Sequence, residues 1–187
     1  MNSNLQVISG TLRARKLMLP DGARPTQNIA RGAVFNMLAG ILGAGDKIVA
    51  WDAFAGSGAL GIETLSRYAD STVVFTDISA DSIASIRKNT AAIAANRICI
   101  VMTDAQKMIK KYGTCSNLIF VDPPYENANV GIDFVEKLAG VALPGTLVVQ
   151  EIEKIVPYAP DTAKWEILRD KTYGRARFLI LQCNDKK

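Results

Sequence analysis

Histidine is absent from this chain of 187 residues. That removes the side chain most often used as a general base near neutral pH and as a metal ligand. Any chemistry here must rest on carboxylates, amides, hydroxyls, backbone groups or a bound cofactor. Cysteine is scarce: Cys99, Cys115 and Cys183 are widely spaced and form no C-x-x-C pair. Such a set builds neither a disulfide framework nor a zinc site, so no metal is expected. Long apolar runs are missing, and nothing reaches the length of a membrane span. The opening MNSNLQVISG lacks the basic, apolar and small-residue phases of a signal peptide. The expectation is a cytosolic protein. Internal repeats and low-complexity tracts are lacking as well.

What is present belongs to an ordinary globular chain, 49% hydrophobic and 21% charged. The length suits one domain with a real core. A net charge of +4 points mildly to an anionic partner, although many proteins without one share it.

From Lys47 onward, apolar strand-like runs alternate with helical patterns. KIVAWDAF, STVVFTD, ICIVMTD and NLIFVD each end on or beside an aspartate. LGIETLSRYA, SADSIASIRKNTAAIAA and AQKMIKKYG lie between them and read as helices, with Ser79 as an N-cap for the second. Near-continuous apolar strands alternating with helices predict a doubly wound α/β fold on a mostly parallel sheet. GTLVVQEI reads as a fifth strand, and WEILRDKTYGRARFLILQC as an antiparallel hairpin turning at Tyr173 and Gly174. Upstream, QVISG and RKLML read as short strands. A helix from about Gln27 to Leu42 follows, with Ala30, Val34, Met37, Leu38 and Ile41 on one face. Residues 1–45 thus form an appendage on a core domain of residues 46–187.

Two stretches carry chemistry. The first is DAFAGSGALGIE, where Gly56, Gly58 and Gly61 satisfy G-x-G-x-x-G between a strand and a helix. Such glycines turn the backbone tightly and let a ligand approach a helix N-terminus. Asp77 ends the next strand, where a carboxylate can accept both hydroxyls of a ribose. A nicotinamide-binding protein would show much the same. Asp52, however, stands where a pyrophosphate would be repelled and a cationic ammonium welcomed. Asp104, after the third strand, can accept from an adenine amino group. Each aspartate alone reads as a turn or cap residue. Three at the C-terminal strand ends, where such sheets bind ligands, suit S-adenosylmethionine better than a dinucleotide.

The second stretch is Asp122-Pro123-Pro124-Tyr125, delivered by the fourth strand. In isolation it could be a turn closed by prolines. After the fourth strand of this fold, it resembles the D/N-P-P-Y/F/W signature of methyltransferases that act on planar nitrogen. An exocyclic amine conjugated to a base is a poor nucleophile. Asp122 and a backbone carbonyl held by Pro123 and Pro124 can each accept one amine hydrogen and aim the lone pair. Tyr125 can stack on the base.

The N-terminal stretch narrows the resemblance. VISGTLRARKLMLP contains I-x-G-x-x-R-x-R-x-L, and GARPTQNIARGAVFNML contains R-P-T and F-N-x-L. With D-x-F-A-G-S-G-x-L-G-x-E and D-P-P-Y in order, the chain from Val7 to Tyr125 resembles the RsmD-type guanine-N2 methyltransferases of bacterial 16S ribosomal RNA. The resemblance implies a class I methyltransferase fold and transfer from S-adenosyl-L-methionine to N2 of a guanine, position 966 in that family. It implies cofactor binding by Asp52, Phe54, Gly56, Gly58, Asp77, Ile78, Asp104 and Ala105, and catalysis at Asp122, Pro123, Pro124 and Tyr125. It puts RNA at Arg13, Arg15, Lys16, Arg24, Thr26 and Arg31. Arg13 and Arg15 are expected on one side of an extended strand, as a phosphate track. The implied partner is 16S rRNA in a small ribosomal subunit or its assembly intermediate, bound by a monomer.

The chain departs from that family in three places. Gly32 and Ala33 follow Arg31 where an acidic residue then alanine is usual, Asp77 stands where glutamate is frequent, and Trp51 replaces a leucine. Other readings compete. DNA adenine-N6 methylation uses the same tetrapeptide, but the chain has no room for a sequence-reading insertion. Glutamine methyltransferases show asparagine at the position of Asp122. A non-catalytic cofactor-binding RNA chaperone would not need Asp52, Gly56, Gly58, Asp77 and Asp122 intact. A nicotinamide oxidoreductase leaves D-P-P-Y without a role.

Overall fold

The computed structural model describes residues 5–20, 28–43, 45–124 and 128–185. Helix α1 (Asn28–Ala39) precedes a regular alternation of β1 (Ile48–Asp52), α2 (Ala59–Arg67), β2 (Ser71–Asp77), α3 (Ala80–Thr90) and β3 (Ile98–Met102). Then come α4 (Ile109–Tyr112), β4 (Leu118–Val121), α5 (Ala128–Leu138), β5 (Leu147–Glu153), β6 (Trp165–Tyr173) and β7 (Ala176–Cys183). The strands form one sheet in the order β3-β2-β1-β4-β5-β7-β6. Strands β1 to β5 pair in parallel, and β7 runs antiparallel to both β5 and β6. The chain order reverses between β1 and β4, so the crevice for a ligand opens beyond the C-terminal ends of those two strands.

Alternation along each strand divides the core into two layers. On one face Phe35 and Leu38 of α1, Ile62 and Leu65 of α2, and Ile86 of α3 cover Phe75 and Phe120. On the other, Tyr112, Phe134, Val135 and Leu138 cover Trp51, Val121 and Leu179. Trp51 uses its polar end as well, since its indole N–H donates to Thr76 Oγ1 at 2.9 Å.

From Lys47 onward the predicted strands and the C-terminal hairpin are present, with the turn at Gly174 (φ +59°). Several details differ. Helix α5 is not among the predicted elements, although Phe134, Val135 and Leu138 share a face. The segment predicted as one helix from Ala105 is a 3₁₀ turn over Ala105–Met108 followed by a single α turn. Helix α3 stops at Thr90, whose hydroxyl turns back to Ile86 O at 2.8 Å. Among residues 5–20 the only strand pairing is one bridge, Gln6 with Lys16. These residues form an arm rather than two strands. Leu5, Val7 and Leu17 sink into the same core layer as α1 and the sheet.

Candidate active site

The glycine loop is sewn to the strands on both sides. Ala53 N–H donates to Phe120 O on β4 at 3.1 Å, and Ala55 N–H to Thr76 O on β2 at 3.0 Å. Gly56 and Gly58 take φ values of +53° and +77°, which glycine adopts without strain. A Cβ on Gly56 would meet nothing within 4 Å, so the loop has open space above it. Gly61 serves packing instead, because a Cβ there would lie 2.3 Å from the Phe75 ring.

Three carboxylates ring this loop. Asp52 ends β1, is 1% exposed, and accepts the Gly61 N–H at 3.0 Å. Burial pushes its pKa up to about 7; the Gly61 N–H pulls against that rise, and the nearby Asp77 charge adds to it. Asp77 ends β2 and accepts Gly56 N–H on one oxygen and Ser79 N–H on the other, both at 2.8 Å. Asp104 caps the 3₁₀ turn by accepting Gln106 N–H at 2.9 Å, and Thr103 N–H donates to Asp77 O at 2.9 Å. Ala105 is buried beneath it. Ile78 projects from the rim at 76% exposed, and Phe54 stands edge-on to Phe134 at 5.3 Å. Met102, level with Asp77 in the sheet, is exposed beside it, a place that no motif marks. Open space over a glycine turn, carboxylates about it and apolar side chains at its edge fit a ligand with a cationic end and a flat ring, as S-adenosylmethionine has.

Beyond β4, Asp122 is half-buried, Pro123 buried and Pro124 exposed. Pro123 is wedged against α5, where a Cβ on Gly131 would lie 2.8 Å from its ring. The Ala53–Phe120 hydrogen bond joins the backbone just after Asp52 to the strand that ends before Asp122. The loop and the proline turn are thereby held side by side. Tyr125, like Arg24 and Thr26, lies outside the described residues.

The basic residues do not form the expected track. Arg13 lies within a turn, its N–H donating to Gly10 O at 3.2 Å, rather than on a strand shared with Arg15. Gly10 (φ +85°) and Ala14 (φ +67°) bend the chain there. Arg13 and Lys16 remain exposed, and Arg15 is half-buried. Arg31 has to be removed from the RNA-facing set. It is 0% exposed, with Nε 3.7 Å from Glu63 Oε2 and Nη2 donating to Gln6 O and to Asn28 Oδ1.

Glu63 is the residue whose part the sequence did not disclose. Wholly buried on α2, it accepts Ile8 N–H at 2.8 Å, Ser9 N–H at 3.0 Å and Arg67 Nε at 2.7 Å, and it faces Arg31. Asn89 does related work from α3. Its carboxamide exchanges two hydrogen bonds with the backbone of Met18 and donates to Ser57 O in the glycine loop at 2.9 Å. The acidic end of the glycine motif and this asparagine clamp the N-terminal arm onto the loop that shapes the site.

A groove of about 670 Å³ runs between the arm and α1, lined by Gln6, Arg13, Asn28, Ile29 and Asn36 among others. No glycine-loop or proline-turn residue lines it. Among the described residues no group of carboxylates and cysteines could hold a metal ion, and no helix is long and apolar enough to cross a membrane.

The chain is similar to known proteins. Residues 5–182 match the family described as "Conserved hypothetical protein 95". The ribosomal RNA small subunit methyltransferase D of Escherichia coli K12 is 33% identical over 187 residues, covering 97% of this chain and 91% of that protein. The solved structure of the E. coli methyltransferase yhhF superposes with a TM-score of 0.80 at 31% identity, covering 97% and 98% of the two chains. An RNA methyltransferase of Salinibacter ruber, solved with S-adenosyl-L-homocysteine, shares the fold at TM-score 0.63 and 18% identity over 88% and 96% of the chains. Across nearly its whole length, from the arm through the glycine loop to the C-terminal hairpin, this chain belongs to the family of the ribosomal RNA small subunit methyltransferase D proteins.

Proposed function

We propose that this protein transfers a methyl group from S-adenosylmethionine to the exocyclic N2 of a guanine in small-subunit ribosomal RNA. One observation carries the reading: the Asp122-Pro123-Pro124 turn stands on the strand next to the carboxylate-ringed glycine loop, fastened to it through Ala53 and Phe120. The ribosomal substrate of the E. coli relative supports the choice of nucleic acid.

The cofactor supplies an electrophilic methyl group on a sulfonium centre. Asp52 and Asp77 present negative charge to its cationic end and its ribose, and Asp104 with Ile78 borders its ring. Asp122 and the carbonyl held rigid by Pro123 and Pro124 accept the two hydrogens of the target amine and turn its lone pair out of conjugation. The prolines leave little to reorganise when the nitrogen reacts. Asp122 can also hold the proton that the amine gives up. Tyr125 stacks on the base, which must be splayed out of its helix. Arg13, Arg15 and Lys16 of the arm, with Arg24 and Thr26, contact RNA phosphates. Residues 1–45 are thus the RNA side of the molecule and 46–187 the catalytic domain. The substrate is an assembled small subunit or an intermediate, met by a monomer in the cytoplasm.

Tritiated methyl transfer to small subunits from a strain lacking the endogenous enzyme, followed by nucleoside analysis, tests this. N2-methylguanosine is the expected product. N6-methyladenosine, or no transfer, overturns the proposal. Asp122→Ala should lower turnover at least a hundredfold, in line with removal of one transition-state acceptor, while cofactor binding by calorimetry stays within about threefold.

A further inference from the structure

Amino groups of several bases could fit a carboxylate and a rigid carbonyl, so something beyond Asp122 must select guanine. The sheet register points to a candidate. Parallel pairing sets Phe120 of β4 level with Val149 of β5, and Val121 level with Gln150. Continued one residue past the last pair, just beyond the end of β4, that register would bring Asp122 level with Glu151. Phe120 and Val149 belong to the core layer under α1 and α2. Val121 and Val148 belong to the opposite layer. Alternation therefore turns both Asp122 and Glu151 toward the α1 and α2 face, on strands about 4.8 Å apart. Asp52 shares that face, since its neighbours Ala50 and Phe120 lie in the same layer. Glu151 is 8% exposed, in surroundings where a hydrogen bond to a carboxylate is strengthened.

Two acceptors on adjacent strands match one edge of one base. Guanine presents two donors side by side, the N1–H and the N2 amine. Adenine presents its amine beside N1, which is an acceptor and would set its lone pair against a second carboxylate. We propose that Glu151 is the base-reading residue: its carboxylate accepts guanine N1–H while Asp122 accepts a hydrogen of the N2 amine. This rests on the guanine-N2 reading and adds how that base is told from adenine. Glu151, one methylene longer than aspartate and buried, takes the ring nitrogen, while the half-buried Asp122 takes the amine.

The test compares guanine with 2-aminopurine, which keeps the amine but carries an acceptor at N1. Small subunits are reconstituted with either base at the target, and kcat/KM for tritiated methyl transfer is measured for the wild type and for Glu151→Gln. The wild type should favour guanine over 2-aminopurine roughly ten- to hundredfold, the range expected for one charge-assisted hydrogen bond. Glu151→Gln keeps an oxygen for guanine N1–H but loses the charge, and its NH2 can donate to N1 of 2-aminopurine, so guanine turnover should fall, 2-aminopurine turnover rise, and the ratio narrow. Cofactor binding by calorimetry should remain, which certifies the fold. If that variant does not fold, Glu151→Asp retracts the same charge by one methylene; guanine turnover should then fall while 2-aminopurine stays excluded. A guanine to 2-aminopurine ratio unchanged in a folded variant overturns the role of Glu151 while leaving the methyltransferase reading intact. Failure of the wild type to methylate guanine in native subunits overturns that underlying reading instead.

Discussion

Replacing Asp52 by asparagine should make the ligand-free protein more stable at neutral pH and less able to use its cofactor. The carboxyl is 1% exposed, and burial raises its pKa from 3.8 to about 7. Because the folded-state value is the higher one, the stabilising protonated form is complete below the unfolded value and is lost as pH rises through about 7. A rise of that size corresponds to about 4 kcal/mol over the whole titration. Roughly 2.5 kcal/mol of that falls between about pH 5 and about pH 8, or roughly 5–10 °C in Tm for a protein of this size. Asp52→Asn keeps an oxygen for the Gly61 N–H and has no proton to lose. Urea unfolding should therefore find the variant ahead by roughly 1.5 kcal/mol already near about pH 5, and by roughly 4 kcal/mol toward about pH 8. S-adenosylmethionine should reverse the order. Its ammonium favours the charged carboxylate, so the wild type gains more from the cofactor as pH rises and the variant gains little at any pH. A stability difference that stays flat across this range would refute the reasoning, since it would mean that Asp52 titrates like a solvated carboxyl.

Glu63→Gln should cost about 3 kcal/mol or more in urea unfolding, because it leaves Arg31 a buried cation with no opposite charge. The loss should appear in stability before it appears in kcat. The glycines should separate into two roles. Gly61→Ala drives a methyl into the Phe75 ring and should cost roughly 1–3 kcal/mol of stability, read as a fall in the urea midpoint. Gly56→Ala meets open space, so it should cost only about 1–2 kcal/mol for its left-handed backbone while weakening cofactor binding more than Gly61→Ala does.

The placement of the strand-end residues was legible because it is local. Asp52, Gly56, Gly58 and Asp77 follow strands whose apolar runs are unmistakable, and a strand end fixes where its last side chain stands. The proline turn was legible for the same reason. Arg31 was misplaced because helical spacing gives a face but not what lies across from it. Its partner, Glu63, comes from another helix. Arg13 was put on a strand because Ala14 gives no warning that it takes a positive φ. Helix α5 was lost behind the tetrapeptide that precedes it, although its apolar spacing was there to count. Glu151 was visible only as the end of a fifth strand. It became a candidate when the register placed it beside Asp122.

The clamp on the arm also sets an order of assembly. Residues 5–20 leave the ribosome ahead of the sheet, yet a single bridge between Gln6 and Lys16 is too little for a hairpin to stand alone in water. The groups that seat them, Glu63, Ser66 and Asn89, arrive later in the chain on α2 and α3. A segment synthesised early therefore cannot take its seat until α2 and α3 have been made. The clamp that ties the arm to the glycine loop thus closes only on a chain that already carries both helices.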